Sequence, residues 1–313
     1  MKLQMLIITC TVFIAAGSSK PHLFFAMIDD WGWYEAGFRG NALAQTPFVD
    51  EMVANEALLI ERHYGYKFCS PSRRSFLSGR FPPHVGQTNT PQAAIDLRMK
   101  TIADKLTAAG YVTAHSGKWH AGFFSMRQTP HGRGFSSSLG FLYGVDHWTQ
   151  QSFEKVCKYG HGGNSTDLWD TDRPALGMNG TYGDYMYVGH AVKTIMEHNA
   201  STPLFYYLAT EVAHMPNEAP QRFCDKFDPN TVPFEPVYAM SSVVDESLSN
   251  VTAALKAKGM WSNTLMVSEI PEQTFRAWQL LCYVMPCHFM LCYVFYFMIC
   301  YVMLCYVVCY VML

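Results

Sequence analysis

Residues 23–30 read LFFAMIDD, six apolar side chains in a row and then two aspartates. A run this apolar, with no polar alternation, is what a strand buried on both faces requires, and such strands belong to parallel sheets covered by helices. The pattern then alternates. Thr46 precedes Pro47 and FVDEMVAN, a capping residue and a first-turn proline that predict a helix. ALLIERHY (57–64) predicts the next strand. TIADKLTAAG (101–110) predicts a helix stopped by Gly110, and YVTAHSG (111–117) a further strand. Helices expected near 184–198 and 241–258 alternate with the apolar runs LFYYLATEV (204–212) and TLMV (264–267). Strands and helices in this order predict an α/β fold with a mainly parallel central sheet flanked by helices. The stretch 125–182, mixing glycines, polar residues and aromatics, reads as long connections of the kind that often carry function.

At 313 residues, half of them hydrophobic, the chain can bury a sizeable core. A net charge of −2 supplies no overall basic field, so nucleic acid is not an expected partner and small or singly charged ligands are. Residues 1–19 run from Met1 and Lys2 through an apolar segment to GSS, the layout of a cleavable signal peptide. Asn-x-Ser/Thr acceptors at Asn164, Asn179, Asn199 and Asn250 fit the same reading, a chain bound for the secretory pathway. Of ten cysteines, Cys69, Cys157 and Cys224 lie in the body, an odd number that leaves one over if Cys157 and Cys224 pair. After Leu280 the sequence carries no Asp, Glu, Lys or Arg and repeats Cys-Tyr-Val. This divides the chain into a leader (1–19), a body (20–267) and an apolar tail (268–313).

Ligands of open α/β sheets sit beyond the carboxyl ends of the strands, and several chemically capable residues fall there. Asp29 and Asp30 follow the first strand; a carboxylate pair suits a hard cation, although adjacent aspartates also make ordinary turns and caps. Lys118 and His120, in GKWHAG, alternate onto one side of an extended segment. His214 follows LFYYLATEV in AHMP. Cys69 and Arg73, four residues apart in CSPSRRSFLSGR, share a face if a helix starts near Pro71. Each residue alone has an ordinary reading as a surface or core side chain, and His115, His131 and His147 are left with that reading.

Taken in order, DDWGW, CSPSRRSFLSGR, GKWHAG and AHMP resemble the sulfatase family over about residues 21–267, most like the arylsulfatase B type (N-acetylgalactosamine-4-sulfatase). The resemblance implies an alkaline-phosphatase-like core that hydrolyses aryl or sugar sulfate esters. It implies that Cys69 is converted to formylglycine by the formylglycine-generating enzyme and becomes the nucleophile. Asp29 and Asp30, together with the residue at Cys69, would bind one Ca2+. Arg73 would hold the formylglycine, Lys118 and His214 would contact sulfate and leaving oxygen, and His120 would orient a nucleophile hydroxyl. The partner would be a sulfate-ester small molecule or sulfated glycan, met outside the cell or in the lysosome.

The pattern breaks after NTLMV. In the family the corresponding strand leads into an Asp-Asn pair that completes the calcium shell, with a further sulfate-binding lysine and a small C-terminal subdomain beyond. Here SEIPEQTFRAWQLL follows, without the pair, and Glu269 is the nearest carboxylate but out of place. The chain therefore reads as a C-terminally truncated sulfatase of doubtful activity, its tail the product of a frame or splicing change. The alternatives are a catalytically inactive sulfatase-like binding protein, membrane-anchored if residues 289–313 span a bilayer, and a phosphoester or phosphonate hydrolase of the same superfamily.

Overall fold

The computed structural model describes residues 20–63, 65–89, 93–144, 147–149, 166–269 and 278–284. The leader, Cys157, Asn164 and most of the apolar tail lie outside the described residues. Among those described, one nine-stranded sheet runs in the order β2-β9-β8-β1-β7-β3-β4-β5-β6. Its centre is β1 (His22–Met27), β3 (Val112–Gly117), β4 (Ser137–Phe141), β7 (Leu204–Ala209) and β8 (Thr264–Glu269), all mutually parallel. Antiparallel strands finish both edges: β2 (Ala57–His63) and β9 (Trp278–Val284) on one side, β5 (Leu168–Asp170) and β6 (Arg173–Pro174) on the other.

The apolar run of residues 23–28 is β1 and its exit, in register between β7 and β8. All six residues of β7 are buried, as a central strand between two helical layers demands. Full burial of such side chains contributes about 1.5–3 kcal/mol each, so β1 and β7 anchor the sheet. The larger core cluster joins this sheet to α5 (Gly183–Glu197) and α7 (Glu235–Ala257). A second packs its opposite face through Leu77 and Leu106, of α2 (Cys69–Ser78) and α4 (Ile102–Ala108). The remaining helices are α1 (Pro47–Asn55) and the one-turn α3 (Pro82–Val85) and α6 (Gln221–Cys224).

Several expectations shift in detail. Thr46 precedes α1, but its hydroxyl donates to Asp50 Oδ1 (2.9 Å) and accepts from Gly37 N, while Asp245 of α7 accepts from the first N–H groups of the helix, Phe48 and Val49 (3.2 and 2.8 Å). The capping box is found instead at α4, where Thr101 and Asp104 satisfy each other's backbone N–H. Helix α7 begins at Glu235, six residues before the expected 241. Strand β8 runs through Val267 to Glu269 and pairs with β9. No helix among the described residues is long and apolar enough to cross a membrane.

Candidate active site

The ends of β1, β3 and β7 and the first turn of α2 meet on one side of the sheet. Asp29 lies two residues past β1, Lys118 directly follows β3, and Cys69 opens α2. Gly117 makes the approach of β3 to β7 possible: its φ is 99° and a Cβ there would stand 1.7 Å from Ala209 O. Lys118 N can then donate to that carbonyl at 2.8 Å. The next residue, Trp119, is fully buried and its indole N–H donates to Gly122 O and Gln128 O, both at 3.0 Å. Anchoring Trp119 inward leaves Lys118 and His120 as its two neighbours in sequence on the site side, as their alternation predicts.

The signature segment has local reasons of its own. Ser70 Oγ donates to His120 O (2.8 Å), tying the start of α2 to the 118–120 turn. Ser72 Oγ donates to Phe68 O (2.6 Å) and Tyr66 O (2.9 Å). Arg74, wholly inside, staples α2 to the following loop through Gly86 O (3.1 Å) and Thr88 O (2.7 Å). Only one of the two adjacent arginines faces the site.

That one is Arg73. Its guanidinium donates to Asp29 Oδ1 at 3.0 Å and to Lys118 O at 3.0 Å, with Tyr207 Oη at 3.4 Å. Lys118 Nζ donates to Asp29 Oδ2 at 2.5 Å and to Cys69 Sγ at 3.4 Å. Arg73 and Asp29 are fully buried and Lys118 nearly so. Burial alone would raise the Asp29 pKa, but the Lys118 ammonium and then the Arg73 guanidinium outweigh it and hold this carboxyl below the usual carboxylate range. Asp29 is thus an anion at any physiological pH, with two fixed cations on it and a cysteine sulfur on the far side of one of them.

His120 is buried against the Tyr143 ring, centroid to centroid 5.1 Å. Burial, and then the charges of Lys118 and Arg73, push its pKa well down, so the imidazole is neutral and able to accept a proton or a hydrogen bond. Asp30 and His214 form the open lip. His214 Nε2 is 3.6 Å from Asp30 Oδ2, and its Nδ1–H donates to Met215 O at 2.6 Å. Asp30 and His120 both hold positive φ (52° and 46°), a conformation that costs on the order of 1–3 kcal/mol and concentrates at functional sites. Asp29, Cys69, Arg73 and Lys118 are therefore linked by direct contacts. His120 joins them through Ser70, and His214 reaches them through Asp30.

Three residues that the sequence did not single out shape this site. Tyr207, in the middle of β7, backs Arg73. Asp167 accepts from the N–H groups of Leu142, Tyr143 and Gly144 (3.2, 3.1 and 3.0 Å), fixing the turn that presses Tyr143 on His120. His147, given an ordinary reading, is fully buried, and its Nε2 lies 3.2 Å from His214 O and 3.0 Å from Pro216 O. Asp167 and His147 sit in the loop-rich stretch, where no periodicity marks them.

Asp29 and Asp30 offer hard carboxylate oxygens of the kind Ca2+ takes, and the ionised state of Asp29 suits a cation ligand. Both oxygens of Asp29 also carry Arg73 and Lys118. Glu269 closes β8 opposite Met27 of β1, and its main-chain oxygen accepts from Ile28 N at 2.9 Å.

The family is shown by a profile match and by curated relatives. The Sulfatase family profile matches residues 21–268. Arylsulfatase J of Mus musculus is 33% identical over 261 residues, covering 80% of this chain and 42% of its own length. The crystal structure of Ps i-CgsB in complex with a neocarrahexaose superposes with a TM-score of 0.74 at 24% identity, covering 86% of this chain and 66% of that one. The structure of BT4656 in complex with its substrate D-glucosamine-2-N,6-O-disulfate superposes with a TM-score of 0.70 at 16% identity, covering 85% of this chain and 71% of that one. The chain spans about half the length of the curated relatives it matches, 42–50% for arylsulfatase J, a bacterial ulvan-active sulfatase and bovine arylsulfatase A. With an alkaline-phosphatase-like α/β core and a profile match from β1 to β8, the chain belongs to the sulfatase family.

Proposed function

We propose that this chain carries the nucleophile and anion-binding part of a sulfuric ester hydrolase of arylsulfatase type, with Cys69 as the residue converted to formylglycine. The observation that carries the reading is the Cys69–Lys118–Asp29–Arg73 contact chain, which puts one modifiable side chain beside a buried ammonium that Asp29 and Arg73 hold in place. When formed, the aldehyde hydrate supplies the nucleophile for sulfur, splitting one hard displacement into two easier ones. Lys118 is placed to donate to an anion at position 69, and Arg73 holds Asp29 and the Lys118 carbonyl so that the ammonium cannot swing away. His120, neutral, would hold or take a proton near the nucleophile, and His214 at the lip would contact the leaving oxygen. Asp29 and Asp30 would hold Ca2+, which would neutralise sulfate charge as it develops.

Aryl or sugar sulfates are the proposed substrates, the second supported by the sulfated sugar bound to BT4656. Passage through the secretory pathway, to the outside or the lysosome, is needed for the modifying enzyme to reach Cys69. Exposed acceptor asparagines at 179, 199 and 250 support that route. The test is mass spectrometry of the Cys69 peptide from secreted protein, which should show an aldehyde in place of the thiol; a quantitatively alkylatable thiol rejects the assignment.

One observation favours a second reading for this chain: both oxygens of Asp29 already carry cations, and no Asp-Asn pair follows β8 to complete a calcium shell. On that reading the protein binds sulfate esters with negligible turnover. Binding of an aryl sulfate without Ca2+-stimulated hydrolysis would select it, and Ca2+-dependent turnover would remove it.

A further inference from the structure

A second charged cluster lies beneath the loop that carries His214. Asp184, second residue of α5, Glu211, two residues past β7, and His147 are all buried. One nitrogen or carboxylate oxygen from each lies within 4.8 Å of the other two, and His147 Nδ1 is 3.6 Å from Glu211 Oε2. The elements are held together by their backbones as well. Gly183 N donates to His147 O at 2.7 Å, and Glu211 N donates to Asp184 Oδ1 at 3.1 Å. Gly183 lies close beneath the carboxylate, a Cβ there standing 2.8 Å from Glu211 Oε2.

Two features point to a ligand. Asp184 Oδ2 is buried with no hydrogen-bond partner, in a residue wholly closed to solvent. A buried carboxylate oxygen left so would cost on the order of 1–3 kcal/mol or more, so an occupant that binds it is favoured. The second feature is the imidazole. The neighbours of His147 Nε2 are two carbonyl oxygens, His214 O and Pro216 O, so this nitrogen carries a hydrogen and donates. In the neutral ring the lone pair is then on Nδ1, the side facing Glu211. A ring whose outer N–H is fixed by backbone carbonyls while its other nitrogen faces carboxylates is the arrangement of a metal-ligating histidine.

We propose that His147 Nδ1 and the carboxylates of Asp184 and Glu211 form a binding site for a divalent transition-metal cation, Zn2+ being the best fit to one imidazole and two carboxylates. Three converging N/O donors are what Zn2+ takes, with a fourth position left to water. Ca2+ fits poorly, because it prefers about six to eight oxygens and no imidazole. The ion would join the start of α5, the exit of β7 and residue 147. Through His147 Nε2–H it would also fix the two carbonyls of the 214–216 turn.

The test uses the full chain, stripped with EDTA and titrated with Co2+ in excess Ca2+, so that carboxylate-only sites are occupied by calcium. The expected result is one Co2+ per chain with visible bands of an N/O site and no thiolate charge-transfer band, displaced by one Zn2+. Asp184→Asn and His147→Gln should each weaken this ion at least tenfold. Folded wild-type chain that binds no cobalt, or binds it only through sulfur, overturns the proposal whether or not a variant folds. So does equal affinity in a folded Asp184→Asn chain.

Discussion

Asp29 and Asp184 are both closed to solvent, one past a strand end and one at a helix start, yet the protein drives them in opposite directions. At Asp29 burial would raise the pKa, but Lys118 and Arg73 more than reverse it. At Asp184 burial dominates and lifts the carboxyl to about 7, although Glu211 N and Val212 N donate to it. Backbone dipoles moderate desolvation, whereas full opposite charges at 2.5 and 3.0 Å overturn it. The comparison separates two kinds of buried acid: one kept ionised as the hub of a cation pair, the other kept available to a proton or a cation.

The largest effect that would break this contrast is at Asp29. Asp29→Asn removes the anion and strands two buried cations, so we expect destabilisation of about 3–5 kcal/mol in denaturant unfolding. A loss under 1 kcal/mol would mean that Lys118 and Arg73 find other partners and that Asp29 is not the hub. Next in size is Lys118→Ala. It leaves Asp29 paired with Arg73 but removes the donor beside Cys69, so aryl sulfate affinity should fall by about 2 kcal/mol, a few tens-fold, with the fold intact. Unchanged affinity by equilibrium titration would detach Lys118 from the anion site.

The first of these acids was legible in the sequence and the second was not. LFFAMI announces a central strand whatever follows, and the aspartates at its end fall where such sheets bind ligands. Cys69 and Arg73 are four residues apart on one helix, a short-range relation that periodicity reads directly. His147, Asp184 and Glu211 are separated by 37 and 27 residues, and only the return of β7 beside the start of α5 brings them together. The alternation of β3, β7 and β8 with their helices was legible because each is a continuous apolar or 3.6-periodic run. Strands β4–β6 hid in the stretch 125–182 because short strands among glycines and aromatics carry no such period. Thr46 does not cap with its side chain because its hydroxyl accepts from a competing donor, Gly37 N, and Asp245 of a distant helix takes the capping role.

Asp245 itself supplies an intermediate case. It accepts the N–H groups of Phe48 and Val49, yet burial still raises it from 3.8 to about 6. A folded pKa above the unfolded one means that stability is fully present below about 4 and declines as pH rises through about 6. The loss is at most about 3 kcal/mol. Urea unfolding of wild type and Asp245→Asn at pH 4.5 and 7.5 isolates it, since the variant should lose that part of the decline. Parallel pH slopes in the two proteins would show that the helix N-terminus fully offsets the burial.

An effect of the opposite sign is expected where the contrast is sharpest, at Asp184→Asn in metal-free buffer. The amide keeps an oxygen for Glu211 N and no cation is stranded, because Asp184 makes no ion pair among the described residues. Above pH 7 the wild-type carboxyl is increasingly ionised in a site that disfavours charge, so the neutral isostere removes a cost while losing no partner of Oδ2. By the same linkage the change should be stabilising at pH 8, by up to about 4 kcal/mol, and fade toward pH 4, opposite in sign to Asp29→Asn. Adding Zn2+ should then raise the melting temperature of wild type but not of the variant, because an ion that binds only the folded chain stabilises it by mass action. Destabilisation of Asp184→Asn by several kcal/mol without metal would show that this carboxylate, like Asp29, is held by a charge partner, and the distinction between the two sites would fall.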